Sequence, residues 1–117
     1  MAKILIVDDS RTSRKFLRHV LEADHHEIVD EAENGVEAIQ KYKELRPDIV
    51  TMDITMPEMN GLEALIAIRK ADPGAKVIMV SALGQESMVR DAVMAGAKGF
   101  VVKPFKEETI TAALAQL

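Results

Sequence analysis

The sequence has no cysteine and no tryptophan, and only one tyrosine and three phenylalanines. Without thiols there are no disulfides, no thiol redox chemistry and no thiolate zinc site, so any metal must be held by oxygen or imidazole. Oxygen ligands favour a hard cation such as Mg²⁺, with Mn²⁺ the alternative. Long apolar stretches are missing too: runs such as Ile4 to Val7 and Val77 to Val80 are far too short to span a bilayer. The first residues show no signal-peptide pattern, and the expectation is a cytoplasmic protein with no membrane partner. Nor is there an excess of positive charge. Fifteen Lys and Arg against nineteen Asp and Glu give a formal net charge of −4. That sign is wrong for a domain that grips phosphate backbones, so no direct nucleic-acid binding is expected.

What is present is an ordinary globular composition, 117 residues of which 48% are apolar and 29% charged. It predicts one domain over residues 1–117, able to fold alone. Short β-rich runs alternate with segments of helical period, which predicts an α/β fold around a parallel sheet. The strands read Lys3 to Val7, Glu27 to Glu31, Ile49 to Met52, Lys76 to Val80 and Gly99 to Val102, most of them nearly all apolar, as suits strands covered on both faces. Between them apolar residues recur at helical spacing: Phe16, Leu17, Val20 and Leu21; Ala38, Ile39, Tyr42 and Leu45; Leu62, Leu65 and Ile66; Val89, Ala92 and Val93; Ile110, Ala113, Leu114 and Leu117. Turn residues such as Asn34-Gly35, Asn60-Gly61 and Asp72-Pro73-Gly74 punctuate the pattern.

In an open parallel sheet a ligand site lies beyond the carboxyl ends of the strands. The residues directly after the first, third, fourth and fifth expected strands are Asp8-Asp9, Asp53, Ser81 and Lys103. Topology alone would bring three carboxylates, a hydroxyl and an ammonium to one edge. Two unit charges about 4 Å apart repel by roughly 4 kcal/mol at an effective dielectric near 20, so three clustered carboxylates need a cation. Asp8, Asp9 and Asp53 are therefore candidate Mg²⁺ ligands. A carboxylate coordinated through one oxygen keeps the other for in-line attack on phosphorus. Asp53, alone on its loop, is the candidate nucleophile, while Lys103 and Ser81 are candidate donors to phosphoryl oxygens. Helix capping by Asp8, Asp9 or Ser10, an Asx-turn at Asp53, capping by Ser81 and a surface role for Lys103 would each explain one residue. They do not explain why all four loops carry this chemistry.

The motifs Asp8-Asp9, Asp53-Ile-Thr-Met-Pro, Ser81-Ala82 and Lys103-Pro104, each after its strand, make the whole chain resemble a response-regulator receiver domain. The resemblance implies a five-stranded parallel sheet of order 2-1-3-4-5 with helices on both faces, the flavodoxin-like arrangement. It implies that Asp53 accepts a phosphoryl group from a phosphohistidine of a histidine kinase or phosphotransfer domain, or slowly from acetyl phosphate. The domain would catalyse its own modification rather than turn over a substrate. Mg²⁺ would be bound by Asp9, Asp53 and the Thr55 backbone carbonyl, with Asp8 acting mainly through water. Lys103 would pair with the phosphoryl oxygens, and Lys103-Pro104 would be a cis peptide. Ser81 and Phe100 are the implied switch pair, Ser81 drawn toward the new oxygens and Phe100 turning inward. Family members often carry Tyr at that position, and Phe100 lacks the hydroxyl a partner could bind. The implied output is a protein target, a flagellar motor switch protein if the chain serves chemotaxis, engaged by a monomer. The side chains of Thr55 and Leu83 are expected to flank the phosphoryl group, with Leu83 slowing hydrolysis.

Arg11, Arg14, Lys15 and Arg18 form a basic stripe on the first helix, read as a solvated face or as a dock for an acidic kinase domain. His25-His26 reads as a solvated turn, and Met52, Met79 and Met94 as core filler. Two rival functions share the fold. A Mg²⁺-dependent phosphohydrolase with an aspartyl intermediate would need a second acid/base after Asp53, which is missing. A nucleotide-binding module would need a glycine-rich loop after the first strand, also missing. Turnover of a small phosphate ester would favour the hydrolase; a single stoichiometric modification favours the receiver.

Overall fold

A computed structural model describes residues 1–117. Strands β1 (Lys3–Val7), β2 (Glu27–Ala32), β3 (Ile49–Met52), β4 (Val77–Ser81) and β5 (Gly99–Val102) alternate with helices α1 (Arg11–Ala23), α2 (Gly35–Leu45), α3 (Gly61–Ala71), α4 (Glu86–Met94) and α5 (Glu107–Ala115). All pairings are parallel and the sheet order is β2-β1-β3-β4-β5, so β3 is central. This is the expected architecture.

Alternation along the strands builds two cores, because successive side chains leave opposite faces of a sheet. Ile4 and Ile6 of β1 join Ile78 and Val80 of β4 beneath Leu17, Val20 and Leu21 of α1 and Ile110 and Leu114 of α5. Leu5, Val7, Val50, Met52, Val77 and Met79 face the other way, toward Ala38 and Tyr42 of α2, Ala64, Leu65 and Ile68 of α3, and Ala92 of α4. Thr51, at the middle of β3, is buried and its hydroxyl has no hydrogen-bond partner.

The helix starts carry their own signals. Ser10 caps α1 and accepts from the Ser13 N–H; Asn34 and Asn60 cap α2 and α3, the latter in a reciprocal box with Glu63. Helices α4 and α5 have Gln85 and Lys106 at the N-cap position with no side-chain cap bond, and α4 buries Ala92 alone.

Several expectations shift. β2 runs one residue further and β4 covers Val77–Ser81 rather than Lys76 to Val80, because Ala32 still pairs with Val7 and Ser81 with Val102. Ser81 therefore ends its strand instead of opening the loop. Phe16, Leu45, Ile66 and Val93 are exposed, as is Met94, which is 80% accessible and fills no core. A helix on one side of a sheet buries a stripe narrower than its apolar periodicity suggests. His26 is half-buried rather than solvated: Nδ1 accepts the Ala2 N–H at 3.0 Å, and Nε2 lies 3.3 Å from Asp24.

Candidate phosphoryl-acceptor and metal site

Main-chain bonds carry the sheet one residue past three of its strands and align the polar side chains at one edge. The Asp8 N–H donates to the Ala32 carbonyl at 3.0 Å, the Asp53 N–H to the Val7 carbonyl at 2.9 Å, and the Lys103 N–H to the Ser81 carbonyl at 2.9 Å. Asp8 and Asp53 are buried at 1% and 8% exposure, whereas Asp9 is open to solvent.

Lys103 joins the two buried acids. Its Nζ donates to Asp8 Oδ2 at 2.6 Å and to Asp53 Oδ2 at 3.2 Å, with Ser13 Oγ at 3.4 Å. Burial works against the ammonium charge, but the Asp8 hydrogen bond and the two carboxylate charges outweigh it and hold its pKa above the ordinary lysine value. The second oxygens are fixed by the backbone, Asp8 Oδ1 by the Ser10 N–H at 2.8 Å and Asp53 Oδ1 by the Ile54 N–H at 2.7 Å. Asp9 has no protein partner. Because capping falls to Ser10, neither Asp8 nor Asp9 is consumed by α1.

One carboxylate oxygen each from Asp8, Asp9 and Asp53 can be chosen so that all lie within 4.8 Å of one another. Three negative charges face one ammonium, and every donor is a hard oxygen. That set fits a divalent cation of the Mg²⁺ type and suits no soft metal. The Thr55 carbonyl, in the loop after Asp53, accepts no protein hydrogen bond and is free to serve as a further oxygen donor.

Of the residues singled out in the sequence, Asp8, Asp9, Asp53 and Lys103 come together. Ser81 is buried at the end of β4, and its Oγ accepts the Leu83 N–H at 3.2 Å rather than touching the acids. Phe100 is half-buried on β5 opposite Met79 and packs on the α2–α4 side of the sheet. The Lys103-Pro104 bond is cis. Gly61 abuts the acceptor loop: a Cβ there would lie 1.7 Å from the Asp53 carbonyl oxygen, so only glycine lets α3 start so close.

The basic stripe on α1 divides. Arg14 is buried and Arg18 half-buried, and both grip Glu31 of β2 through Nε, each at 2.8 Å. Arg14 also donates to the Asp8 carbonyl at 2.8 Å. Burial raises the Glu31 pKa, but the bonds and charges of Arg18 and Arg14 prevail and hold it below the usual carboxylate range. Only Arg11 and Lys15 stay exposed to meet a partner. The contacts of Ser13 and Arg14 with the site were not anticipated. Their one trace in the sequence is their place in the opening turns of the helix that follows Asp8-Asp9. Beside Lys103, a groove of about 460 Å³ runs between α1 and the loop after β5, lined by Thr12, Phe16, Leu17, Ala82, Pro104 and Phe105 among others.

Comparison with known proteins agrees with this geometry. Residues 4–115 match the model of the response regulator receiver domain. The chain belongs to the response regulator receiver family. It is 55% identical to the chemotaxis protein CheY of Listeria monocytogenes over 114 residues, covering 97% of this chain and 96% of that protein. It is 53% identical to the CheY of Bacillus subtilis over 112 residues, covering 96% and 93%. Among solved structures it superposes with a TM-score of 0.96, at 42% identity, on a chain from the CheX-CheY-BeF3-Mg²⁺ complex of Borrelia burgdorferi, covering 97% of this chain and 87% of that one. Within the family this is a receiver of the chemotaxis CheY type, with an acidic pocket of Asp8, Asp9 and Asp53. None of its helices is long and apolar enough to cross a membrane.

Proposed function

We propose that residues 1–117 act as one receiver domain in which Asp53 accepts a phosphoryl group, with Mg²⁺ held by Asp8, Asp9, Asp53 and the Thr55 carbonyl. The observation that carries this reading is Lys103 Nζ within 3.2 Å of both Asp8 and Asp53, in a pocket where Asp9 is left unpaired. Bound Mg²⁺ would neutralise charge on the carboxylates and on the incoming phosphoryl oxygens. A free lone pair of the Asp53 carboxylate attacks phosphorus in line as the bond to the donor nitrogen or oxygen breaks, and the leaving group departs with that electron pair. The Ile54 N–H holds the Asp53 carboxylate in orientation. Lys103 turns its ammonium from the carboxylates to the transferred group, lowering the charge that builds there.

The donor is a phosphohistidine of a histidine kinase or phosphotransfer domain. Arg11 and Lys15, exposed on the helix that supplies one wall of the Phe16–Phe105 groove, suit an acidic, partly apolar face on that donor. After transfer, Ser81 leaves its bond to the Leu83 N–H for the new oxygens and Phe100 moves inward. Thr55 and Leu83 govern the access of water to the phosphoryl group. The modified domain, a cytoplasmic monomer, then engages its target, a flagellar motor switch protein in a chemotaxis system. The experiment is incubation with acetyl phosphate, with and without Mg²⁺, followed by mass mapping. One Mg²⁺-dependent phosphoryl adduct on Asp53, abolished by Asp53→Asn, is expected. An adduct elsewhere, or one indifferent to Mg²⁺, overturns the assignment.

A further inference from the structure

Arg14 does something at this pocket that the proposed chemistry does not use. We infer that Arg14 is a positioning residue of the cation site, locking the Asp8–Asp9 peptide so that the Asp9 carboxylate is presented to Asp53. The inference rests on the reading of the acidic pocket as a Mg²⁺ site.

The guanidinium is almost wholly enclosed, with the side chain 9% exposed, and all three of its nitrogens are engaged. One terminal nitrogen donates to the Asp8 carbonyl oxygen at 2.8 Å, Nε to Glu31 at 2.8 Å, and the other terminal nitrogen approaches Glu33 at 3.4 Å. Glu31 is itself held from its other oxygen by Arg18. A chain of charge-assisted bonds thus ties α1 and the end of β2 to one carbonyl at the end of β1. That carbonyl belongs to the peptide joining the first two acids. Fixing its plane fixes the direction in which the Asp9 side chain leaves the backbone. Asp8 and Asp53 have side-chain hydrogen bonds to orient them, and Asp9 has none. The peptide plane is therefore the main constraint on where its carboxylate points. Only a planar fork can serve the carbonyl and the glutamates at once, so lysine is no equivalent.

Charge alone predicts the opposite effect. A nearby guanidinium repels a divalent cation, so removing it would tighten Mg²⁺ binding if positioning played no part. The sign of the change therefore decides between the two roles.

The test is titration of the full chain with MgCl₂ by isothermal calorimetry, with a melting curve for each variant in the same buffer. Wild type should bind Mg²⁺ and Asp9→Asn should lose most of that affinity. Arg14→Lys and Arg14→Met should weaken binding about tenfold or more, as loss of a supporting contact around a metal ligand does. Ile110→Val, a core change remote from the pocket, supplies a destabilised control whose affinity should stay at the wild-type value. If Arg14→Met does not fold, Arg14→Lys decides. Unchanged or tighter binding in the folded Arg14 variants, beside a normal Asp9→Asn loss, overturns this inference alone. Weakening matched by Ile110→Val also overturns it, as a stability effect. Failure of the wild type to take up Mg²⁺ overturns the site reading and this inference together.

Discussion

Replacing Asp9 by asparagine should make the metal-free protein more stable and the Mg²⁺-loaded protein comparatively less so. Three carboxylates have oxygens within 4.8 Å, Lys103 serves only Asp8 and Asp53, and Asp9 meets no positive partner. One pair of unit charges at that separation repels by about 1 kcal/mol under water-like screening and about 3.5 kcal/mol at an effective dielectric near 20. Asp9 is exposed, so the lower figure applies, and Asp9→Asn should raise the melting temperature without metal by about 4 °C. With Mg²⁺ at about a hundred times its dissociation constant the wild type should gain about 2.7 kcal/mol, and the variant far less. The order of stability then inverts on adding metal. Thermal unfolding followed by circular dichroism, with and without MgCl₂, reads both arms. A variant that melts below wild type in the absence of metal, or that gains as much as wild type in its presence, refutes the reasoning.

Three further outcomes are expected. Tyr42 is held up to about 12 by burial and by its 2.6 Å hydrogen bond to Asp72. Because its folded pKa is raised, this stability is complete below about pH 10 and lost as pH rises through about 12. The chain has no other tyrosine and no tryptophan, so tyrosinate absorbance isolates the group, and a midpoint near 10 in the folded protein would contradict the bond. Thr51→Val should stabilise by about 1 kcal/mol in urea unfolding, since it removes a buried hydroxyl without a partner; a loss would mean that the hydroxyl is satisfied after all. Gly61→Ala forces the start of α3 away from the Asp53 carbonyl, so acetyl phosphate labelling should fall about 100-fold with helix content retained, and unchanged labelling would show that the contact is dispensable.

The strands and the site edge were legible because both rest on short-range patterns, whereas the order of the strands in the sheet came only with the family resemblance. Apolar runs with turn residues between them mark the strands, and the polar residue after each run marks the edge. Helix faces were less so. Phe16, Ile66 and Val93 fit the 3.6-residue period, yet solvent or a partner meets them, because periodicity cannot say how wide a stripe the sheet will cover. Arg14 and Arg18 looked like free charges on an exposed stripe. Their partner Glu31 lies 17 and 13 residues away on a strand whose alternation is weak, and only the packing of α1 against β2 reveals the pairing. The division of labour between Ser10 and the two acids beside it was equally hidden, since all three residue types cap helices well.

The uncapped, thinly anchored α4 has one more consequence. Three of the five helices start with a side chain tying down their first turn, and α5 buries Ile110 and Leu114; α4 has no such cap and buries only Ala92, with Met88 packed partly against the core. Work needed to shift an element scales with what must be unpacked, so of the five helices this one has the least burial to give up. It lies directly downstream of the loop that follows Ser81, the last residue of β4. A change of charge felt by that hydroxyl thus reaches first the piece of the molecule that resists least, and the rigid central strand can keep the chemistry in place while an outer helix alters its pose.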